Sequence, residues 1–123
     1  MSDLRLSDIL LEMLGPQDFV RLAEYRGGTR LYVPAGEGAT LAKAIGTEAT
    51  RALVDRFAGS YIRVPLAREL RARQYRAAGA SNAEIARRLG MSESGVDRLF
   101  NAMPNKPAKG SYDPRQGDLF ASN

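Results

Sequence analysis

Neither cysteine nor histidine occurs among the 123 residues. Their absence removes thiol nucleophiles, imidazole general bases, disulfide frameworks and every zinc site built on either residue. The 14 acidic residues are spread singly along helical segments and converge in no motif. No catalytic residue, metal site or cofactor is therefore expected, and the chain is not read as an enzyme. Long apolar runs are missing too: nothing approaches the roughly 18 residues of a membrane span. Met1-Ser2-Asp3-Leu4-Arg5 also lacks the basic-then-apolar layout of a signal peptide. The expectation is a cytoplasmic protein with no membrane partner.

What is present is a modest core and an uneven positive charge. Hydrophobic residues make up 44% of the chain, enough for one ordinary domain or two small lobes. The net charge of +4 comes from 18 basic and 14 acidic residues. Residues 66–103 hold seven of the basic and four of the acidic groups, while residues 1–34 hold four and five. A basic segment beside near-neutral ones points toward a polyanionic partner.

Along the chain, Ser7 to Leu14 reads as a short helix stopped at Gly15. Pro16 to Tyr25 reads as a second helix, ended by Gly27-Gly28. Thr29 to Val33 alternates polar with apolar residues, as a half-exposed strand does, and stops at Pro34. The pattern then recurs. Displaced by 31 residues, LGPQDFVRLAEYRGGTRLYVP (14–34) lies over IGTEATRALVDRFAGSYIRVP (45–65) without a gap, matching Gly15 to Gly46, Leu22 to Leu53, Gly28 to Gly59, Val33 to Val64 and Pro34 to Pro65. The linker Ala35–Ala44 leads into a short helix at 40–45. Two copies are too few for a solenoid, so the two strands are expected to pair with each other, with a second subunit, or with both.

Leu66 to Ala78 reads as a longer helix. Its spacing sets Leu66, Leu70, Gln74 and Ala77, flanked by Ala67 and Ala78, on a packing arc, and Arg68, Arg71, Tyr75 and Arg76 on a basic one.

Residues 82–101, NAEIARRLGMSESGVDRLFN, carry the sharpest signal. In a helix-turn-helix the two helices cross closely, so the first needs a small residue at the crossing and the turn needs one that tolerates positive φ. Ala86 suits the crossing, Gly90 the turn, and Val96 packs back from the second helix. Ile85, Leu89, Met91 and Leu99 complete the apolar set. Asn82 or Ser81 caps the first helix, and Ser92 caps the second with Glu93 in its first turn. In the standard docking the second helix enters the major groove, which makes Glu93, Ser94, Asp97, Arg98 and Asn101 the base-reading candidates. Arg98 suits guanine and Asn101 adenine. Arg68, Arg71, Arg76, Arg87, Arg88 and Ser92 are the candidates for the phosphate backbone.

The run Ala58-Gly59-Ser60-Tyr61-Ile62-Arg63-Val64-Pro65, followed by LARELRARQYRAAG and SNAEIARRLGMSESGVDRLF, resembles the Mor transcription activators of Mu-like phages. The resemblance covers about residues 45–101. It implies an intertwined dimer made by N-terminal helices and a strand, with that strand near the minor groove, here through Tyr61 and Arg63. It further implies paired helix-turn-helix units in successive major grooves, and a middle-promoter activator that recruits host RNA polymerase. The family strand usually opens with two glycines, where this sequence has Ala58-Gly59; the copy GGTRLYVP at 27–34 stands closer to that pattern.

These readings predict a mainly α protein with short β-strands. Residues 1–65 form a dimerisation region with a twofold repeat, 66–103 a helix-turn-helix domain and 104–123 a flexible tail. The expected function is a homodimeric regulator that binds a roughly palindromic double-stranded DNA site. A rival reading rests on the tail, where Gln116, Asp118, Leu119 and Phe120 sit in a QGDLF peptide that resembles those docking on the bacterial sliding clamp. In that reading the protein binds a host factor. A recombinase or nuclease accessory enzyme would need a catalytic cluster that the sequence does not offer.

Overall fold

A computed structural model describes residues 3–105 and 107. Among them the protein is mainly helical, with one small antiparallel sheet. The chain divides into two compact units, residues 1–67 and residues 68 onward. No helix among the described residues is long and apolar enough to cross a membrane.

The first unit runs α1 (Asp3–Arg26), β1 (Arg30–Tyr32), α2 (Ala39–Ile45), α3 (Thr47–Phe57) and β2 (Tyr61–Arg63). Helix α1 begins earlier than the sequence pattern suggested, and it is broken at Gly15, whose φ of 81° and ψ of 163° are not helical. The break follows from Pro16, which disfavours helical backbone in the preceding residue and lacks an N–H of its own. Leu10, Phe19, Val20, Leu22 and Ala23 of α1 are buried in a core that also holds Leu41, Ile45, Ala49 and Leu53 of α2 and α3. The inward side of the sheet, Leu31, Val33, Ile62 and Val64, completes it.

The 31-residue repeat survives in three dimensions and reaches further back than the aligned sequence. The two arms of α1 correspond to α2 and α3, with Gly46 (φ 95°, ψ 157°) in the place of Gly15. The strands pair with each other, antiparallel, in the register Arg30 to Arg63, Leu31 to Ile62 and Tyr32 to Tyr61. Because Leu31 and Ile62 are equivalent in the repeat, a local twofold axis passes between them. The hydrogen bonds obey it. Gly28 N–H donates to Val64 O at 2.7 Å, and its counterpart Gly59 N–H donates to Val33 O at 2.8 Å. Val64 N–H donates to Thr29 O at 2.9 Å, and Val33 N–H to Ser60 O at 2.8 Å. Even the turns leaving the helices match, with Thr29 N–H on Arg26 O at 3.0 Å and Ser60 N–H on Phe57 O at 2.9 Å.

The second unit contains α4 (Arg68–Ala77), α5 (Asn82–Leu89) and α6 (Glu93–Ala102). Its core gathers Ala72, Tyr75, Ala80, Ile85, Ala86, Leu89, Val96, Phe100 and Met103, with Met91 and Leu99 packed against it. The inward face of α4 is not the expected one. Arg71, Ala72 and Tyr75 are buried, whereas Leu66 and Ala77 are exposed and Leu70 and Gln74 only half-buried. Spacing alone treated arginine and tyrosine as outward residues. Here the Tyr75 ring supplies the apolar surface, and the arginine beside it extends along that surface.

Candidate nucleic-acid interface

Helices α5 and α6 are started and separated by short-range chemistry. Ser81 precedes α5, and its Oγ accepts the Glu84 N–H at 3.2 Å while Glu84 Oε1 accepts the Ser81 N–H at 3.4 Å. This reciprocal cap satisfies two amide donors that would otherwise lack partners. Ser92 repeats half of it, accepting the Gly95 N–H at 3.0 Å. Between the helices Gly90 adopts a left-handed conformation, φ 66° and ψ 38°, and the Gly90 and Met91 amides both bond back to Ala86 O. Ala86 is 5% exposed and Val96 fully buried. Of the three residues expected to shape a helix-turn-helix, Ala86 and Val96 are thus buried between the helices' apolar faces and Gly90 supplies the left-handed turn.

The geometry at Gly90 gives a clean stability test. A Cβ placed there meets nothing within 4 Å, so the cost of adding one is that of the left-handed backbone and not of a clash at that atom. An L-residue in this region costs about 1–2 kcal/mol, and a β-branched one is the worst suited. Gly90→Val is expected to destabilise by roughly 2 kcal/mol, and Gly90→Asn by clearly less, since asparagine tolerates this conformation. Urea unfolding of the two variants checks this; equal losses would mean that the strain lies elsewhere.

The outward side of α6 brings Glu93, Ser94, Asp97, Arg98 and Asn101 together, all exposed. Asn101 donates to Asp97 Oδ2 at 3.5 Å, and Ser94 Oγ lies 3.3 Å from Ser92 Oγ. Among the described residues no hydrogen bond or ion pair holds the Arg98 guanidinium. It is the one cation of this face and can turn to meet a ligand. The two carboxylates of this face, Glu93 and Asp97, both precede it in sequence, and they make the face less favourable for nonspecific phosphate contact than a purely basic one.

The arginines expected on the phosphate backbone separate into two groups. Arg68 and Arg87 are exposed, in keeping with a surface role. Arg71 is not: it is 8% exposed, its Nε donates to the Tyr75 hydroxyl at 3.2 Å, and its Nη2 donates to Arg88 O at 2.9 Å. Arg76 is half-buried, bonded to Ala80 O at 3.1 Å and to Asn82 Oδ1, with its guanidinium 4.7 Å from the Phe100 ring centroid. Both hold the three helices together and are withdrawn from the surface set. Arg88 is half-buried, 5.9 Å from the Tyr75 ring centroid. Arg73, which the sequence did not single out, donates to Pro104 O at 2.7 Å and Asn105 O at 2.8 Å, fastening the chain after α6. An arginine used as a multi-donor brace leaves no trace in a charge count.

In the first unit, Tyr61 and Arg63 do share the outward face of β2, and antiparallel pairing adds Arg30 and Tyr32 to it. The tyrosine rings meet edge to face at 5.1 Å, and the Arg30 guanidinium sits 4.5 Å from the Tyr61 centroid. Both copies of the repeat therefore contribute to one surface of two arginines and two tyrosines. The candidate docking peptide, Gln116, Asp118, Leu119 and Phe120, lies outside the described residues. Compared with protein-family models, curated proteins and solved structures, the chain matches none.

Proposed function

We propose that the protein is a sequence-specific double-stranded DNA-binding transcriptional regulator. The observation that carries this reading is the α5–Gly90–α6 arrangement: two capped helices packed through Ile85, Ala86, Leu89, Val96 and Phe100, with Glu93, Ser94, Asp97, Arg98 and Asn101 all exposed on the second. A helix presented in this way fits the major groove, where arginine pairs with guanine and carboxylates accept from cytosine amines. The exposed cations Arg68 and Arg87 supply phosphate contacts, whereas Arg88, with a guanidinium nitrogen buried beside Tyr75, is held inward. The resemblance to the Mor activators of Mu-like phages supports a phage or prophage origin and activation through host RNA polymerase.

Selection from random duplexes by gel shift tests the reading, with an enriched motif as the expected result. On that motif, Arg98→Ala should lower affinity by about 1–3 kcal/mol without moving the thermal midpoint. Normal binding by this variant would remove Arg98 from the reading set. With about two phosphate contacts, the log–log salt slope should be roughly −2, each contact contributing about 0.9. Salt-independent binding would refute the backbone role of these arginines.

A further inference from the structure

We infer that the 31-residue duplication is a dimer interface closed within a single chain, so that the protein works as a monomer. It then presents one recognition helix per particle to a duplex site without dyad symmetry. The DNA part of this inference rests on the regulator reading above; the assembly part does not.

In a two-chain dimer built on strand pairing, the dyad relates identical strands. Here it relates β1 to β2, through equivalent centres Leu31 and Ile62 and equivalent bonds at Gly28 and Gly59. Each strand has its partner, and the inward side chains are covered, with Val33 and Val64 at 0% and 1% exposure. A second copy pairing through the same strands would first break these bonds and then remake the same set. It would gain no contact. It would also compete with an intramolecular partner whose effective concentration is on the order of millimolar, so at micromolar protein the pairing within one chain wins by about a thousandfold. The large apolar side chains left exposed among the described residues are Leu11, Tyr32, Tyr61 and Leu66.

The second unit contributes one helix-turn-helix, α5 and α6, among the described residues. Dimeric readers of this class take two half-sites about 10 base pairs apart. A monomeric reader takes one, and its motif has no inverted copy at that spacing.

Three measurements on the full chain test the inference. Light scattering in the absence of DNA should give the mass of one chain, 13.4 kDa. Tyr32→Cys/Tyr61→Cys, introduced into a chain with no cysteine of its own, should oxidise within the chain. Alternation from the bonded pairs on either side makes Tyr32–Tyr61 a non-hydrogen-bonded pair, with Cα atoms about 4.5 Å apart, inside the range a disulfide spans. A non-reducing gel should then show a single-chain band. The motif enriched from random duplexes should be asymmetric, bound by one protein per duplex in native mass spectrometry. A mass of two chains, an interchain cross-link or a dyad motif overturns the inference. A monomer that enriches no motif overturns the regulator reading and the DNA clause with it, while the solution mass and the cross-link together decide the assembly.

Discussion

Tyr75→Ala is expected to cost about 3–5 kcal/mol, the loss typical of a buried aromatic replaced by alanine. The residue is 1% exposed and sits at the centre of the second unit, among side chains from all three helices. Its hydroxyl also accepts the Arg71 Nε–H at 3.2 Å, and the Arg71 and Arg88 guanidinium groups each lie 5.9 Å from its ring centroid. Truncation would therefore open a cavity and leave a buried guanidinium donor unmatched. Since whole domains are stable by only about 5–15 kcal/mol, such a loss would remove a large part of the second unit's stability. Tyr75→Phe separates the two contributions, for it keeps the ring and removes one hydrogen bond, at about 1–2 kcal/mol. Chemical denaturation of both variants is the measurement. A Tyr75→Ala loss no larger than that of Tyr75→Phe would show that the ring is not the centre of this core.

The second large effect concerns the first unit and tests its internal symmetry directly. Leu22 and Leu53 are equivalent in the repeat and both are fully buried. Leu22→Ala and Leu53→Ala should each destabilise by about 2–5 kcal/mol, and the two losses should agree to within about 1 kcal/mol. Leu11, 40% exposed on the same helix as Leu22, serves as the control, and Leu11→Ala should change stability by less than about 1 kcal/mol. One equivalent leucine costing several kcal/mol and the other almost nothing would show that the symmetry is one of backbone path without shared packing.

Much of this architecture was legible in the sequence because it depends on local chemistry. Ser81 and Ser92 mark helix starts, Gly90 marks a left-handed turn, and the paired Gly-strand-Pro segments announced a duplication. The backward extension of the repeat was hidden, since α2 and the first arm of α1 share burial at Leu10 and Leu41 but little sequence. The orientation of α4 was hidden for a different reason. Periodicity sorts residues by polarity, and Arg71, Arg76 and Tyr75 are each both apolar along their length and polar at one end. Only the positions of Arg88 O, Ala80 O and Asn82 Oδ1, set by the chain further on, decide that these tips point inward. Of the five arginines that the sequence reading set on one outward surface, only Arg68 and Arg87 are exposed.

The dyad between Leu31 and Ile62 also changes how substitutions accumulate. In a two-chain assembly one codon change strikes both sides of the axis, so a defect is counted twice and the two halves can never differ. With both halves in one chain, each change is counted once, and each half is free to diverge while its counterpart holds the shared core. The outward face of the sheet already bears that asymmetry: Arg30 corresponds to Tyr61, and Tyr32 to Arg63, while the inward pair remains Leu31 with Ile62. A surface that began as two equal copies can in this way acquire a left and a right, and so distinguish the two directions along whatever it touches.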